Sequence, residues 1–179
     1  MSLVKPNKIT VPEALRLANH DFLNRLQMIM MYNELDKKQQ CQMYITKTVQ
    51  EMQVVSTINR AGAQHLAEWL LTVAWRYKQF AVTLTSTVEA TATIAEAAII
   101  AYLDTAIAEI ANQVDNYQPH YLTIDYAVTQ TTVTVAVQCK GQWQRPIELT
   151  EKNERFTVKV EQSSASALVF YLTAKQGVK

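Results

Sequence analysis

Glycine is scarce: the 179 residues contain three, Gly62, Gly141 and Gly177. No two lie close enough to form a glycine-rich phosphate loop, which excludes P-loop and dinucleotide-binding readings. Cysteine is scarcer still. Cys41 and Cys139 are far apart and lack a CxxC companion, so they give neither a disulfide framework nor a zinc site and are expected as buried, reduced thiols. Charge of one sign is also missing: seventeen Lys and Arg against sixteen Asp and Glu leave a formal +1. That is too little for an electrostatic hold on nucleic acid or an anionic membrane surface. The most apolar stretch, residues 90–111, is interrupted by Glu96, Asp104 and Glu109, which excludes a membrane span, and the first eight residues lack the apolar core of a secretory signal. The expectation is a soluble, cytoplasmic protein with neither nucleic acid nor membrane as partner.

What is present is a globular composition, 49% hydrophobic, in a chain long enough to bury roughly 70% of its unfolded surface. With few glycines and prolines to mark boundaries, periodicity and capping must supply them. Thr10 and Glu13 form a capping box with Pro12 in the first turn, so a helix starts near residue 11. Val11, Leu15, Ala18, Phe22, Leu26 and Ile29 then fall within roughly 80° of one another at 100° per residue. After a short polar link, Cys41, Ile45, Thr48, Met52, Val55 and Asn59 keep the 4,3,4,3,4 spacing of a heptad seam, and Gly62 is a natural stop. The link is short enough to make the two helices an antiparallel hairpin. A hairpin with one apolar stripe per helix cannot close a core alone; either the rest of the chain or a second copy must cover it.

The remainder reads as helix on sheet. Leu66, Leu70, Val73, Tyr77 and Phe80 give a third helix, followed by the alternating Val82, Leu84, Ser86, Val88 of a strand. A long Ala- and Ile-rich helix is expected over 91–115, ending before Asn116-Tyr117-Gln118-Pro119. Strands follow at 122–128, 133–139, 155–162 and 167–174. The fold class is therefore α+β, with a helical hairpin over 1–61 and an α/β layer over 62–179.

Three histidines separate by position. His65 opens a helix and His120 precedes a strand, where structural or surface roles are expected. His20 lies roughly 160° from the centre of the first apolar stripe and so faces outward. Arg16, Asn24 and Gln27 share that face at helical spacing, Asp21 follows directly, and Leu17, Leu23 and Met31 border the polar strip. A solvated helix face has no need of such leucines; apolar residues around a reactive polar centre suit a protein docking face.

The run His20-Asp21-Phe22-Leu23-Asn24-Arg25-Leu26-Gln27 resembles the phosphoacceptor helix of the sporulation initiation phosphotransferase B family, which is related to histidine kinases of the citrate and fumarate sensor type. The resemblance continues more loosely through the second helix, His65-Leu66-Ala67 and the strand order beyond. It implies a homodimer whose hairpins form a four-helix bundle, followed by a kinase-ATPase-like domain that has lost nucleotide binding. The implied activity is relay between response-regulator receiver domains, His20 taking a phosphoryl group from one aspartate and passing it to another. Asp21 would orient or deprotonate the imidazole, Asn24 would order the reacting groups, and Arg16 and Arg25 would assist with phosphate or an acidic pocket, with Leu17, Leu23 and Gln27 completing the binding face. No resident cofactor is implied, Mg2+ being expected only on the regulator. An active kinase is disfavoured: Ala101 and Thr105 stand where metal-holding asparagines would be expected, and Cys139 stands where an adenine-binding aspartate belongs, in a Cys139-Lys140-Gly141 turn lacking a second glycine. The alternative is a dimeric adaptor that binds or sequesters a regulator without turning over phosphate.

Overall fold

The computed structural model describes residues 9–114, 118–149 and 154–177. The order is α1 (Val11–Glu34), α2 (Lys38–Arg60), α3 (Gln64–Arg76), β1 (Phe80–Val88), α4 (Glu96–Ala111), β2 (His120–Val128), β3 (Thr132–Lys140), β4 (Thr157–Ser163) and β5 (Ala167–Lys175). Thr10 caps α1, its hydroxyl accepting from the Glu13 N–H, with Pro12 in the first turn. Asp36 turns the chain between α1 and α2 with φ +51°, a left-handed conformation that Asp tolerates. Gly62 ends the hairpin at φ +86°, and a Cβ there would run into the Thr91 side chain.

The five strands form one mixed sheet in the order β1-β2-β3-β5-β4. β1 and β2 are parallel, joined by the α4 crossover, and the other pairs are antiparallel. Alternation is strict where it matters: Leu122, Ile124, Tyr126 and Val128 of β2, Val133, Val135, Val137 and Cys139 of β3, and Leu168, Phe170, Leu172 and Ala174 of β5 are buried. They share one core with Leu66, Trp69, Leu70 and Val73 of α3 and Ile99, Leu103, Ile107 and Ile110 of α4. The long helix expected over 91–115 starts only at Glu96. The Ala92 N–H is taken by the Ala61 carbonyl at 2.6 Å and the Thr93 N–H by the Gln176 side-chain oxygen at 2.7 Å, so tertiary bonds hold this segment out of the helix. The helix also ends early, at Ala111 with Asn112 as its C-cap, whereas residue 115, its expected end, and the first residues of the following link lie outside the described residues.

All three carboxylates that interrupt the apolar stretch have structural work. Glu96 accepts the Leu66 N–H at 2.8 Å, satisfying a first-turn donor of α3, whose N-cap Ala63 offers no side-chain bond. Asp104 Oδ1 accepts from the Trp69 indole at 2.7 Å and from the Tyr77 hydroxyl at 2.9 Å. Glu109 pairs with Arg145 at 3.8 Å. Burial, and then the neighbouring Asp104 charge, push the Tyr77 phenol above its ordinary range.

The hairpin is the contrast. No residue of α1 is buried, and Leu15, Phe22 and Leu26 of its predicted seam are exposed, as are Met52 and Val55 of α2. Of the half-buried side chains of α1, Ile29 belongs to that seam, while Ala14, Leu17, Arg25, Met28 and Tyr32 form a stripe roughly 90° round from it and face α2. Tyr32 meets Tyr44 at 5.9 Å between ring centroids, and Arg25 meets Glu51 at 2.9 Å. Covering by the rest of the chain, one of the two sequence-based options, is therefore not what occurs along most of the seam.

Asp104→Ala leaves the Trp69 indole without its acceptor and the Tyr77 hydroxyl with only the backbone carbonyl of residue 104, 3.3 Å away, and the expected loss is about 1–3 kcal/mol. Urea denaturation of the two proteins measures it, and a loss under about 1 kcal/mol in total would show that the carboxylate does not fasten α3 to α4.

Candidate functional site

The site is one face of α1. Arg16, His20, Leu23, Asn24, Gln27 and Met31 lie within roughly 100° of one another on the wheel, and all are exposed. The His20 side chain is 69% exposed. One turn on, the Asn24 amide nitrogen lies 3.2 Å from His20 Nδ1, and Asp21 Oδ1 lies 3.5 Å from the same nitrogen. Among the described residues His20 Nε2 meets no protein partner. The ring is thus addressed from one side only.

Two proton arrangements fit these distances. With the proton on Nε2, Nδ1 accepts from the Asn24 amide while its lone pair also faces a carboxylate oxygen. With the proton on Nδ1, that proton lies beside the Asp21 carboxylate and, once the Asn24 amide is turned over, its carbonyl oxygen; Nε2 then carries the lone pair and points to solvent. Only the second makes an outward nucleophile, and the partner at one ring nitrogen decides which tautomer is held.

Two side chains expected at the site sit elsewhere. Arg25 is roughly 140° round the helix from His20 and is committed to Glu51 of α2, so it clamps the hairpin. Leu17 is half-buried toward α2 and contributes less to an outer face than Leu23, which is 57% exposed. One neighbour was not foreseen. The Trp75 indole N–H, from α3, donates to Asp21 Oδ2 at 3.1 Å, across 54 residues of sequence. Its only sequence signal is that a tryptophan stands off the buried stripe of its helix. Beside it an open groove of about 810 Å³, lined by Ala18, Phe22, Met52, Val55, Leu71 and Trp75, follows the uncovered seam.

The expected nucleotide anchors are also placed. Ala101 and Thr105 are exposed on α4, the Thr105 hydroxyl being spent on the Ala101 carbonyl at 2.8 Å. Cys139 is buried within β3, and burial pushes its thiol up to about 12. Gly141 has a packing reason: a Cβ there would overlap the imidazole of the buried His120, whose Nδ1 accepts the Gln142 N–H at 3.4 Å. The exposed His65 is the second residue of α3. No group of three or more His, Cys, Asp or Glu side chains among the described residues could hold a metal ion. No described helix is long and apolar enough to cross a membrane.

Residues 7–61 match the family model of the alpha-helical domain of SpoOB-type sensor kinases. That segment holds the hairpin and its exposed His20. Curated proteins gave no match. Among solved structures, the Acinetobacter baumannii histidine kinase AdeS aligns over 95% of this chain and 100% of its own, with 13% identity and a TM-score of 0.45. A histidine kinase from Burkholderia phymatum STM815 aligns over 90% of each chain, with 13% identity and a TM-score of 0.43. Histidine kinase ThkA, solved in complex with the response regulator protein TrrA, aligns over 92% of this chain and 61% of its own, with 13% identity and a TM-score of 0.43.

Proposed function

We propose that this chain is a phosphohistidine phosphotransferase of two-component signalling, working as a homodimer between response-regulator receiver domains. The observation that carries the reading is His20, on a helix of the sensor-kinase type, exposed, with Asp21 and Asn24 gathered at Nδ1 and Nε2 left free. In the reaction Nε2 donates its lone pair to the phosphorus of a regulator's aspartyl phosphate. The phosphorus–oxygen bond to the aspartate breaks and the carboxylate leaves with that electron pair. The ring gains positive charge, which the Asp21 carboxylate beside Nδ1 offsets, and return of the group to a second aspartate reverses each step. Phosphoryl transfer asks mainly for alignment and charge neutralisation. Asn24 supplies alignment, Arg16 stands one turn before His20 to meet an acidic partner, and Leu23 and Met31 supply apolar contact. Divalent metal, where needed, belongs to the regulator.

The homodimer rests on the uncovered seam. A second hairpin laid against Leu15, Phe22, Leu26, Met52 and Val55 completes a four-helix bundle and removes from water a surface that a lone chain leaves wet. The unit after the hairpin, residues 62–179, is proposed to bind no nucleotide. The groove beside α4 lacks amide anchors at Ala101 and Thr105 and presents Glu109 and Glu148, whose carboxylates repel phosphates.

Three measurements test this. Incubation with a phosphorylated regulator should put an acid-labile, base-stable phosphate on the wild type and on His65→Ala and His120→Ala, with none on His20→Ala. Asn24→Ala should slow transfer with regulator binding kept, and Leu23→Asp should weaken binding. A wild type that binds regulators but takes no label supports the adaptor instead. Light scattering should find a wild-type dimer at micromolar concentration and a Leu26→Asp monomer, since the charge costs several kcal/mol when buried without a partner; a monomeric wild type removes the bundle. Calorimetry with ATP should give no dissociation constant below about 1 mM, and a tighter value would revive the kinase reading.

A further inference from the structure

We propose that Trp75 is a positioning residue for His20: its indole N–H holds the Asp21 carboxylate so that the second carboxylate oxygen faces Nδ1 and keeps the imidazole proton there. The inference rests on the phosphotransfer reading and deepens it, since it says what sets the nucleophile's tautomer.

Asp21 side chain is half exposed. Left to itself on a solvated helix, its carboxylate would rotate among water-facing positions. In the structure its two oxygens are assigned different work: Oδ2 takes the Trp75 Nε1–H at 3.1 Å, and Oδ1 stands 3.5 Å from His20 Nδ1. An indole is a donor only, so this contact cannot be satisfied by a reversed polarity. A hydrogen bond to an ionised acceptor is also stronger than one between neutral groups. The donor itself is fixed. α3 is held from its other side by Trp69 and Tyr77 on Asp104, and Trp75 lies roughly 240° round the helix from Trp69. The half-buried Trp75 lines the same groove as Leu71 and Ala74. A carboxylate that fixes a histidine tautomer, itself fixed by a further hydrogen bond, is the general arrangement by which an imidazole is oriented. Here the last member comes from the unit beyond the hairpin. The pose of α3 against α1 thereby sets the readiness of His20.

The test uses the full-length protein and its Trp75→Phe, Asp21→Asn and doubly substituted variants. Nitrogen-15 spectra of the ring, with His20 assigned by its loss in His20→Ala, should show the neutral wild-type ring with its proton mainly on Nδ1. Trp75→Phe should lower that population toward the Asp21→Asn value, and the double variant should match Asp21→Asn alone. At saturating regulator, Trp75→Phe should slow label uptake about tenfold, the size expected of one hydrogen bond to a charged group, without moving half-saturation. In the Asp21→Asn background it should slow uptake no further. Equal slowing in both backgrounds, or an unchanged tautomer, overturns the proposal by reducing Trp75 to a packing role. Should Trp75→Phe fold poorly, Asp21→Asn reads the same bond from its far end: the Trp75 indole proton should shift while those of Trp69 and Trp143 stay, and three unmoved signals overturn it. The spectra need no regulator. A wild type that takes no label defeats the phosphotransfer reading alone, whereas label uptake and tautomer that are both indifferent to Trp75 defeat this one alone.

Discussion

The carboxylate of Asp104 is the fastening on which the arrangement of the molecule depends. It sits in the mostly apolar α4 and takes two buried donors, the Trp69 indole of α3 and the hydroxyl of Tyr77 at the C-cap of α3. Apolar packing between α3 and α4 would by itself tolerate sliding, because hydrophobic contact is not directional. Two convergent hydrogen bonds on one oxygen are directional, and they fix the rotation of α3 about its axis. Once that rotation is fixed, so is the side of α3 that faces the hairpin, and with it the reach of Trp75 to Asp21.

α1 thus presents three distinct faces. One stripe, with Tyr32 and Arg25, meets α2 and sets the hairpin. The next, with Leu15, Phe22 and Leu26, is apolar and uncovered in the single chain. The third carries His20, Asn24 and Gln27 to solvent. A globular helix commonly divides between one buried and one solvated face. α1 departs from that division by carrying an extra apolar face, which lies beside the α2 contact and is exposed in the single chain.

Much of this was legible in the sequence, where local rules decide. The Thr10 cap, the Gly62 stop and the alternation of β2, β3 and β5 each depend on residues a few positions apart, and the structure has them. His20 and Asn24 could be placed on one outer face for the same reason. What failed was non-local. Residues 91–95 have the composition of a helix, but Ala61 and Gln176 claim their N–H groups from distant parts of the chain. Arg25 looked like a neighbour of His20 in the written sequence, yet five residues along a helix turn it toward Glu51. The Trp75 contact closes 54 residues of chain, and no period or cap announces it.

The sheet and α4 raise a last physical question: what a layer packed throughout its core does for a site that lies on another element. Its packing answers the question. Glu96 supplies a first-turn acceptor to α3, Asp104 fixes the rotation of α3, and the buried faces of β2, β3 and β5 give α4 the rigid surface from which both carboxylates act. Gly141 lies against the His120 ring, where a Cβ would overlap the imidazole, so this glycine too serves the layer's own packing. A short helix such as α3, thirteen residues long, is marginal by itself. Backed by this layer, it becomes a fixed arm that presents one indole N–H to the site on α1. The α/β layer therefore reaches a histidine on another element through α3 and the Trp75 indole.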